Sequence, residues 1–445
     1  MLKIVEAFSG IGSQAKALEK LYIDHKILCT VDWDINAIIA YDLIHNGKQD
    51  LKEYNKFSKT ELVEILSNYT LSWDGKVPAT KESIAKVDEE FLRVLYCAIK
   101  RTNNLISITD VKGKDLPQDI DLLTYSFPCQ DLSVAGYWHG TKKGSLGISR
   151  DAHNRSGMLW EVERILLERY NANMDLPKML LMENVSNILS KTNIVNFNDW
   201  QNSLEKMGYY NQVFTLNASN FGIPQKRVRT YMLSVYCKTI EQRDEVEKFF
   251  FENNLEKNFY PEECAKLEKF IKNNYKLKKY KEEADLCQAS DTPSRKDIYR
   301  DNVKILETNK NKVRDIIVPT ITTKQDRHPN SGVIDYFIGD ESKSQYRFLT
   351  PRECFLLMGF EEKDYEILVK SNIYKDPKRK LFTYERLYKL AGNSIVVNVL
   401  ESIFKQVEYI KENILIEDKK VIDLKLLKKK MALLKDYNEE EEEEA

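Results

Sequence analysis

The chain has 445 residues, of which 42% are hydrophobic, 11% aromatic and 31% charged, a balance that excludes wholesale disorder and makes two or more domains the expectation. Lys+Arg number 68 against 69 Asp+Glu, a formal net charge of −1, so charge neither announces nor excludes a nucleic-acid partner and only a local basic surface would decide. No apolar run approaches the roughly 18 residues of a spanning helix, and the N-terminus enters an apolar stretch with no basic leader and cleavage site, which points away from membranes and secretion. The seven cysteines are scattered with no C-x-x-C pair, so neither a metal site nor a disulfide framework is expected, and the reading is a reduced, cytoplasmic protein.

In chain order, residues 2–8 form a strand-like run ending in Ser9-Gly10-Ile11-Gly12. A helical pattern carried by Ala15, Leu18 and Leu21 follows, then a second strand over 27–31 that ends on Asp32. Strand-helix-strand order argues for a parallel sheet covered by helices. Residues 46–104 interrupt it with a polar, mainly helical insertion. Strand candidates resume at 106–109, 122–125, 179–182, 213–216 and 231–235.

After Cys237 the texture changes. Residues 238–347 are rich in Lys, Asn and Tyr, with 22 Lys+Arg and 21 Asp+Glu, but within 266–327 the basic residues lead by 16 to 10. A smaller domain with a basic face and an ordinary solvated insertion both fit that composition. The division expected is a catalytic and cofactor-binding domain over 1–236, a second region over 237–346, an α/β-like return over 347–410 and a charged tail over 411–445 that holds the run Glu439 to Glu444.

Glycines at 10 and 12, between a buried strand and a helix, let the backbone turn tightly and approach a ligand above the strand's carboxyl end. The next strand ends in Asp32-Trp33, an acceptor for ribose hydroxyls beside an indole face for a purine. The third strand candidate ends in Asp110, placed to accept from an adenine amine. Three such strand ends suit a nucleoside with no pyrophosphate to cradle, and S-adenosylmethionine is the cofactor that fits. Ala15 stands where a full G-x-G-x-x-G would have its third glycine, mild evidence against NAD.

The fourth strand candidate leads into Tyr125-Ser126-Phe127-Pro128-Cys129-Gln130-Asp131-Leu132-Ser133, which puts Cys129 after a rigid proline where a nucleophile would project. A lone cysteine is usually a small buried hydrophobe, but here Met182-Glu183-Asn184-Val185 and Gln225-Lys226-Arg227-Val228-Arg229 follow downstream. If the latter is extended, Arg227 and Arg229 share one face. Taken singly, a surface carboxylate and a surface strand would be the default readings of these two segments.

The ordered set F-S-G-I-G, D-W-D, S-F-P-C-Q-D-L-S, M-E-N-V, Q-K-R-V-R and A-G-N-S, from Leu2 to Phe404, resembles the cytosine-C5 DNA methyltransferase family. The resemblance implies an α/β, Rossmann-like S-adenosylmethionine-dependent methyltransferase domain around a mixed, mostly parallel sheet, with a smaller target-recognition domain matching the change of texture. It implies roles residue by residue. Cys129 resembles the nucleophile that attacks C6 of cytosine, Glu183 the carboxyl group at N3 and the exocyclic amine, Arg229 the contact to O2, and Arg227 the support of the loop and site. Phe8, Gly10, Gly12, Asp32, Trp33, Asp110, Leu159 and Ser394 match cofactor positions, with Asn393 a structural asparagine beside them. Ser9 stands where Ala is frequent, and Ser126 where Gly is frequent.

A cysteine cannot reach C6 of a stacked base, so the nucleotide must be flipped out of the duplex. The segment 130–147, with Gly136, Gly140, Lys142, Lys143, Gly144 and Gly147, reads as a mobile loop able to close over nucleic acid, with Ser133, Lys142 and Lys143 near phosphates. Thr320, in Pro319-Thr320-Ile321-Thr322, resembles a backbone-contacting position. The five histidines are given no catalytic role. The expected function is sequence-specific DNA (cytosine-5-)-methylation of a bacterial or phage restriction-modification type. Implied partners are double-stranded DNA and a cognate restriction endonuclease acting on the same site, with a monomer as the default state. The competing readings are a tRNA cytosine-5 methyltransferase and a non-catalytic DNA-binding relative.

Overall fold

The computed structural model describes residues 1–128, 132, 148, 155–257, 264–307 and 310–416. Leu2–Ala7 (β1), His25–Val31 (β2), Leu122–Tyr125 (β3), Met179–Val185 (β4) and Tyr209–Asn217 (β5) are strands, and after the short Gln225–Lys226 (β6) comes Val228–Tyr236 (β7). All but β6 build a six-stranded sheet in the order β2-β1-β3-β4-β7-β5. The first four run parallel, and β7 runs antiparallel to both β4 and β5, so the sheet is mixed and mostly parallel. β4 is buried over Met179–Asn184, as a strand covered on both faces must be.

Alternate residues feed two cores. Ile4, Leu122, Leu181 and Leu233 face one, under helices that include Ser13–Lys20 (α1) and Ile35–Asn46 (α2). Val5, Leu123, Leu180 and Met232 face the other, against a later helix over Leu159–Asn171 and the Trp200 indole. The period of two along each strand assigns these faces. Asp34 starts α2 by accepting from the Asn36 N–H, an N-cap that satisfies one of the helix's orphan donors.

The insertion over 46–104 is helical, as expected: Lys59–Ser67 (α3), Lys81–Ala85 (α4) and Glu89–Arg101 (α5). Its apolar face is not detached, however. Leu62, Leu66, Leu71, Phe91 and Leu95 join the same core as α1 and α2.

The strand expected over 106–109 does not form, because Asn103 and Ile106 take left-handed φ values of 45° and 69°. In place of a ladder, an isolated bridge pairs Thr30 of β2 with Asn104, and Asn103 Nδ2 donates to the Leu28 carbonyl. The Asn104 side chain replaces a ladder by accepting from the N–H groups of Asp32 and Ile106 and donating to the Asp32 carbonyl.

Beyond β7, Ile240–Glu252 packs on the sheet edge, with the Tyr210 and Phe250 rings stacked. A separate three-stranded sheet is formed by Gln288–Ser290, Val333–Asp335 and Lys343–Phe348. The closing stretch adds helices Pro351–Leu357, Glu362–Lys370, Tyr384–Asn393 and Val397–Asn413 and a small hairpin, Tyr374–Asp376 with Arg379–Lys380, rather than strands of the main sheet. The carboxyl ends of β1 to β4 therefore share one edge, with the segment before Val397–Asn413 folded back over it.

Candidate active site

One cavity of about 390 Å³ opens at that edge, within the size of small-ligand sites. Phe8, Gly10, Asp32, Trp33, Glu183, Arg227, Arg229, Asn393 and Ser394 all line it. Nine residues expected from the sequence are thus brought together from five separate segments.

After β1 the chain turns through three left-handed residues, Phe8, Gly10 and Gly12, with φ of 55°, 55° and 75°. Phe8 is not glycine, so the turn stores strain that the surrounding bonds must hold; its N–H donates to the Val31 carbonyl at 2.7 Å. The two glycines serve different needs. A Cβ on Gly10 would meet nothing within 4 Å, whereas one on Gly12 would lie 2.2 Å from His45 Nε2. Gly12 does not line the cavity; it lets α1 close against α2. Burial pushes the His45 imidazole down to about 4, so the ring is neutral, and its Nε2, 3.0 Å from the Ile11 carbonyl, carries the proton donated there.

Asp32 organises the other side of this turn. Its carboxylate accepts from Gly10 N–H at 2.8 Å and from Asp34 N–H at 2.9 Å. Desolvation, with Asp34 close by, pushes the Asp32 carboxyl up to about 7. Beside it the half-buried Trp33 indole offers an aromatic wall. An acidic acceptor, an indole and a glycine turn with open space above it suit a nucleoside.

The opposite end is built around Glu183. On β4 it pairs in register with Tyr231, while Val185 pairs with Arg229, so Glu183 and Arg229 are diagonal neighbours on one face. Arg229 Nε lies 3.4 Å from Glu183 Oε1, and Ser126 Oγ donates to Glu183 Oε2. The serine that departs from the family's frequent glycine therefore touches the expected acid. Asn184 Nδ2 donates to the Phe127 carbonyl at 3.0 Å and fixes the chain just ahead of Pro128.

Arg227 takes a different path from Arg229, because the strand breaks between β6 and β7. It is buried, and its guanidinium donates to the carbonyls of Ile321, Gly392 and Ser394 at 2.9, 3.1 and 2.8 Å. Thr320, half-buried, donates through Oγ1 to the Lys226 carbonyl at 2.6 Å, joining the same knot.

Two further cofactor expectations fall behind the wall or outside it. Leu159 is fully buried, and the cavity is lined instead by its neighbour Met158. Asp110 is exposed and does not line the cavity, since the expected strand before it is a turn; Ser107 and Ile108 occupy that wall. Cys129, Ser133, Lys142 and Lys143, with nearly all of the segment 130–147, lie outside the described residues. Sequence reasoning missed Ser107, Lys389 and four residues of the stretch 70–78 (Thr70, Asp74, Gly75 and Pro78), all at the cavity. No local motif marks the last two, which reach it only through the fold.

The model of the C-5 cytosine-specific DNA methylase family matches residues 79–409. The chain is 34% identical to the type II methyltransferase M2.ScrFI of Lactococcus lactis subsp. cremoris, over 91% of its own length and 99% of that protein's. It is 42% identical to the orphan methyltransferase M.SssI of Spiroplasma monobiae over 54% of its own length, and that match spans 61% of the relative. Among solved structures, the Dnmt2 methyltransferase of S. pombe superposes with a TM-score of 0.54 at 18% identity, covering 93% of this chain and 100% of that one, a likeness of fold. The chain belongs to the C-5 cytosine-specific DNA methylase family, DNA cytosine-C5 methyltransferases whose methyl donor is S-adenosylmethionine.

Proposed function

We propose that this cavity holds S-adenosylmethionine at the Asp32–Trp33 end and a cytosine flipped out of duplex DNA at the Glu183–Arg229 end, with Cys129 as the nucleophile. The observation that carries the reading is that one continuous wall joins a nucleoside-type acceptor to a carboxylate–guanidinium pair. The donor set fits the cofactor: Asp32 accepts from ribose hydroxyls, Trp33 flanks the purine, and the Phe8–Gly10 turn leaves room for it. When bound, the cofactor supplies a methyl group on a sulfonium.

C5 of cytosine is a poor nucleophile and has to be activated. The Cys129 thiolate adds to C6, forming the S–C6 bond and sending an electron pair toward N3 and O2. Glu183, held by Ser126 and Arg229, delivers a proton at N3, and the Arg229 guanidinium stabilises charge at O2. C5 is then an enamine carbon able to take the methyl group. Loss of the C5 proton to a base and departure of Cys129 restore the aromatic ring. Arg227 contacts no base in this scheme; through its carbonyl bonds it fixes Ile321 and the Gly392–Ser394 segment around the site.

Residues 237–346 are assigned the choice of target sequence, and Ser133, Lys142, Lys143 and Thr320 the DNA backbone. The basic excess over 266–327 supports that division. The family model favours DNA over tRNA as substrate. A restriction-modification setting, with a nuclease cutting the same site, draws support from the type II relative's name. A monomer in the cytoplasm completes the reading; among the described residues no helix is long and apolar enough to cross a membrane.

The test is duplex DNA carrying 5-fluorocytosine at the target. Fluorine cannot leave C5 as a cation, so a denaturation-resistant complex, dependent on S-adenosylmethionine and mapping to Cys129, is expected. Cys129→Ser should abolish both adduct and turnover, because a hydroxyl is far less ionised than a thiol near neutral pH. An adduct on any of the other six cysteines, or full activity in the serine variant, would overturn the assignment.

A further inference from the structure

The 46–104 insertion reaches the cavity at one place. Thr70, Asp74, Gly75 and Pro78, from the link between α3 and α4, line it alongside Asp32 and Trp33. This link is bonded directly to the strand end that carries those two residues. Ser72 N–H donates to the Trp33 carbonyl at 2.8 Å, Ile35 N–H donates to the Ser72 carbonyl at 3.0 Å, and Asn36 Nδ2 donates to the Trp73 carbonyl at 3.0 Å. Ser72 thus forms an isolated parallel bridge beside Asp34, so the link is paired to the chain just past the strand end.

The far side is gripped by the last third of the chain. Lys389 Nζ lies 2.8 Å from Asp34 Oδ2 and donates at 2.6 Å to the Asp74 carbonyl. One cation thus ties the cap of α2, the inserted link and the helix Tyr384–Asn393 together at the cavity rim. Lys375 of the small hairpin stands over the Trp73 ring, 3.5 Å from its centroid. Within the link, Ser72 Oγ donates to the Val77 carbonyl and accepts from Gly75 N–H, which sets a tight turn facing the cavity.

We propose that the stretch Thr70–Pro78 is an added wall of the cofactor site, latched by Lys389, through which the insertion holds the nucleoside end of S-adenosylmethionine and of its product S-adenosylhomocysteine. The inference rests on the reading of Asp32 and Trp33 as the nucleoside end. Lys389 is a positioning residue here. Its ammonium is engaged by Asp34 and Asp74, and it acts by keeping the wall closed over Trp33.

The test uses the full-length chain, with calorimetry for affinity and hydrogen exchange for the wall. In the parent protein, S-adenosylhomocysteine should slow exchange of the amides between residues 70 and 77. Lys389→Met should weaken binding of both cofactor forms about tenfold, as loss of charged hydrogen bonds does, and remove that protection, while Lys389→Arg recovers most of the affinity. If the parent's amides gain no protection, the proposal fails, whether or not the variant folds. It fails equally if Lys389→Met binds within about twofold of the parent. Asp32→Ala separates the two readings. Normal affinity in that variant would mean the nucleoside site lies elsewhere, whereas weakened affinity there with an indifferent wall would remove only this proposal.

Discussion

At the nucleoside end of the cavity the first bonds are local: Gly10 to Asp32 spans 22 residues of sequence and Asp34 to Asp32 only two. At the base end the ties that assemble the site are long. Ser126 reaches Glu183 across 57 residues, and Arg227 reaches Ile321 and Ser394 across 94 and 167. The first set can form once β1, β2 and their connecting helix are in place. The second exists only when β4, β7 and the closing helices have all docked. A cofactor site whose glycine turn has local support, closed from outside by Lys389 and the inserted link, and a base site assembled from distant segments should respond to substitution as two separable units.

The largest effect that tests this separation is expected of Glu183→Gln. The amide keeps the size of the side chain and can still meet Ser126, but it cannot deliver the proton that cytosine N3 requires. Turnover should fall by roughly 10²–10⁴-fold, the usual contribution of a general acid, with S-adenosylmethionine affinity close to the parent's by calorimetry. If cofactor affinity falls as steeply as turnover, the two ends are one unit and the comparison breaks.

Asp32→Ala probes the other end. Removing charged hydrogen bonds to ribose should weaken cofactor binding by roughly 1–3 kcal/mol, read by calorimetry, while duplex DNA binding without cofactor stays unchanged. Acidity offers a finer version of the same test. The Asp32 carboxyl is pushed up to about 7, so its ionised form, the stronger acceptor, dominates above that pH and is lost as pH falls through it. Cofactor affinity should therefore fall on acidification, by roughly tenfold between pH 8 and pH 6 if only the ionised form binds well. Asp32→Asn should flatten that slope. A slope that survives in the asparagine variant belongs to another group.

Much of this arrangement could be read from the chain, and the reason lies in how the elements are encoded. The four parallel strands appear as apolar runs that stop at Phe8, Asp32, Ser126 and Glu183, so strand ends and site residues are marked by the same change in polarity. The exceptions have physical causes. The run at 106–109 is as apolar as a strand, but Asn103 and Ile106 adopt left-handed φ, and the Asn104 side chain takes the hydrogen bonds a ladder would have used. Arg227 and Arg229 alternate as an extended pair would, yet a break between β6 and β7 sends one toward Gly392 and the other toward Glu183. The inserted link and Lys389 carry no signal of their own, since contacts spanning more than 300 residues leave no local pattern.

The smallest expected effect decides what that missing strand means for the cofactor. A strand over 106–109 would have carried Asp110 to the adenine edge. The turn instead leaves Asp110 exposed, within 3.3 Å of the Thr109 hydroxyl, and puts Ser107 on the wall with its Oγ 2.7 Å from Thr109 Oγ1. Ser107 sits beside Ile108, whose side chain supplies an apolar flank, so a purine at this wall would find a hydroxyl partner and a flat aliphatic surface. Ser107→Ala should accordingly weaken S-adenosylmethionine binding by about 1 kcal/mol, the worth of one neutral hydrogen bond, while Asp110→Ala stays within about 0.5 kcal/mol, as remote surface changes do. Calorimetry on the two variants side by side reads the difference directly. The reverse order, with Asp110→Ala the more damaging, would mean that the 106–110 turn rearranges around the bound adenine and brings the carboxylate in.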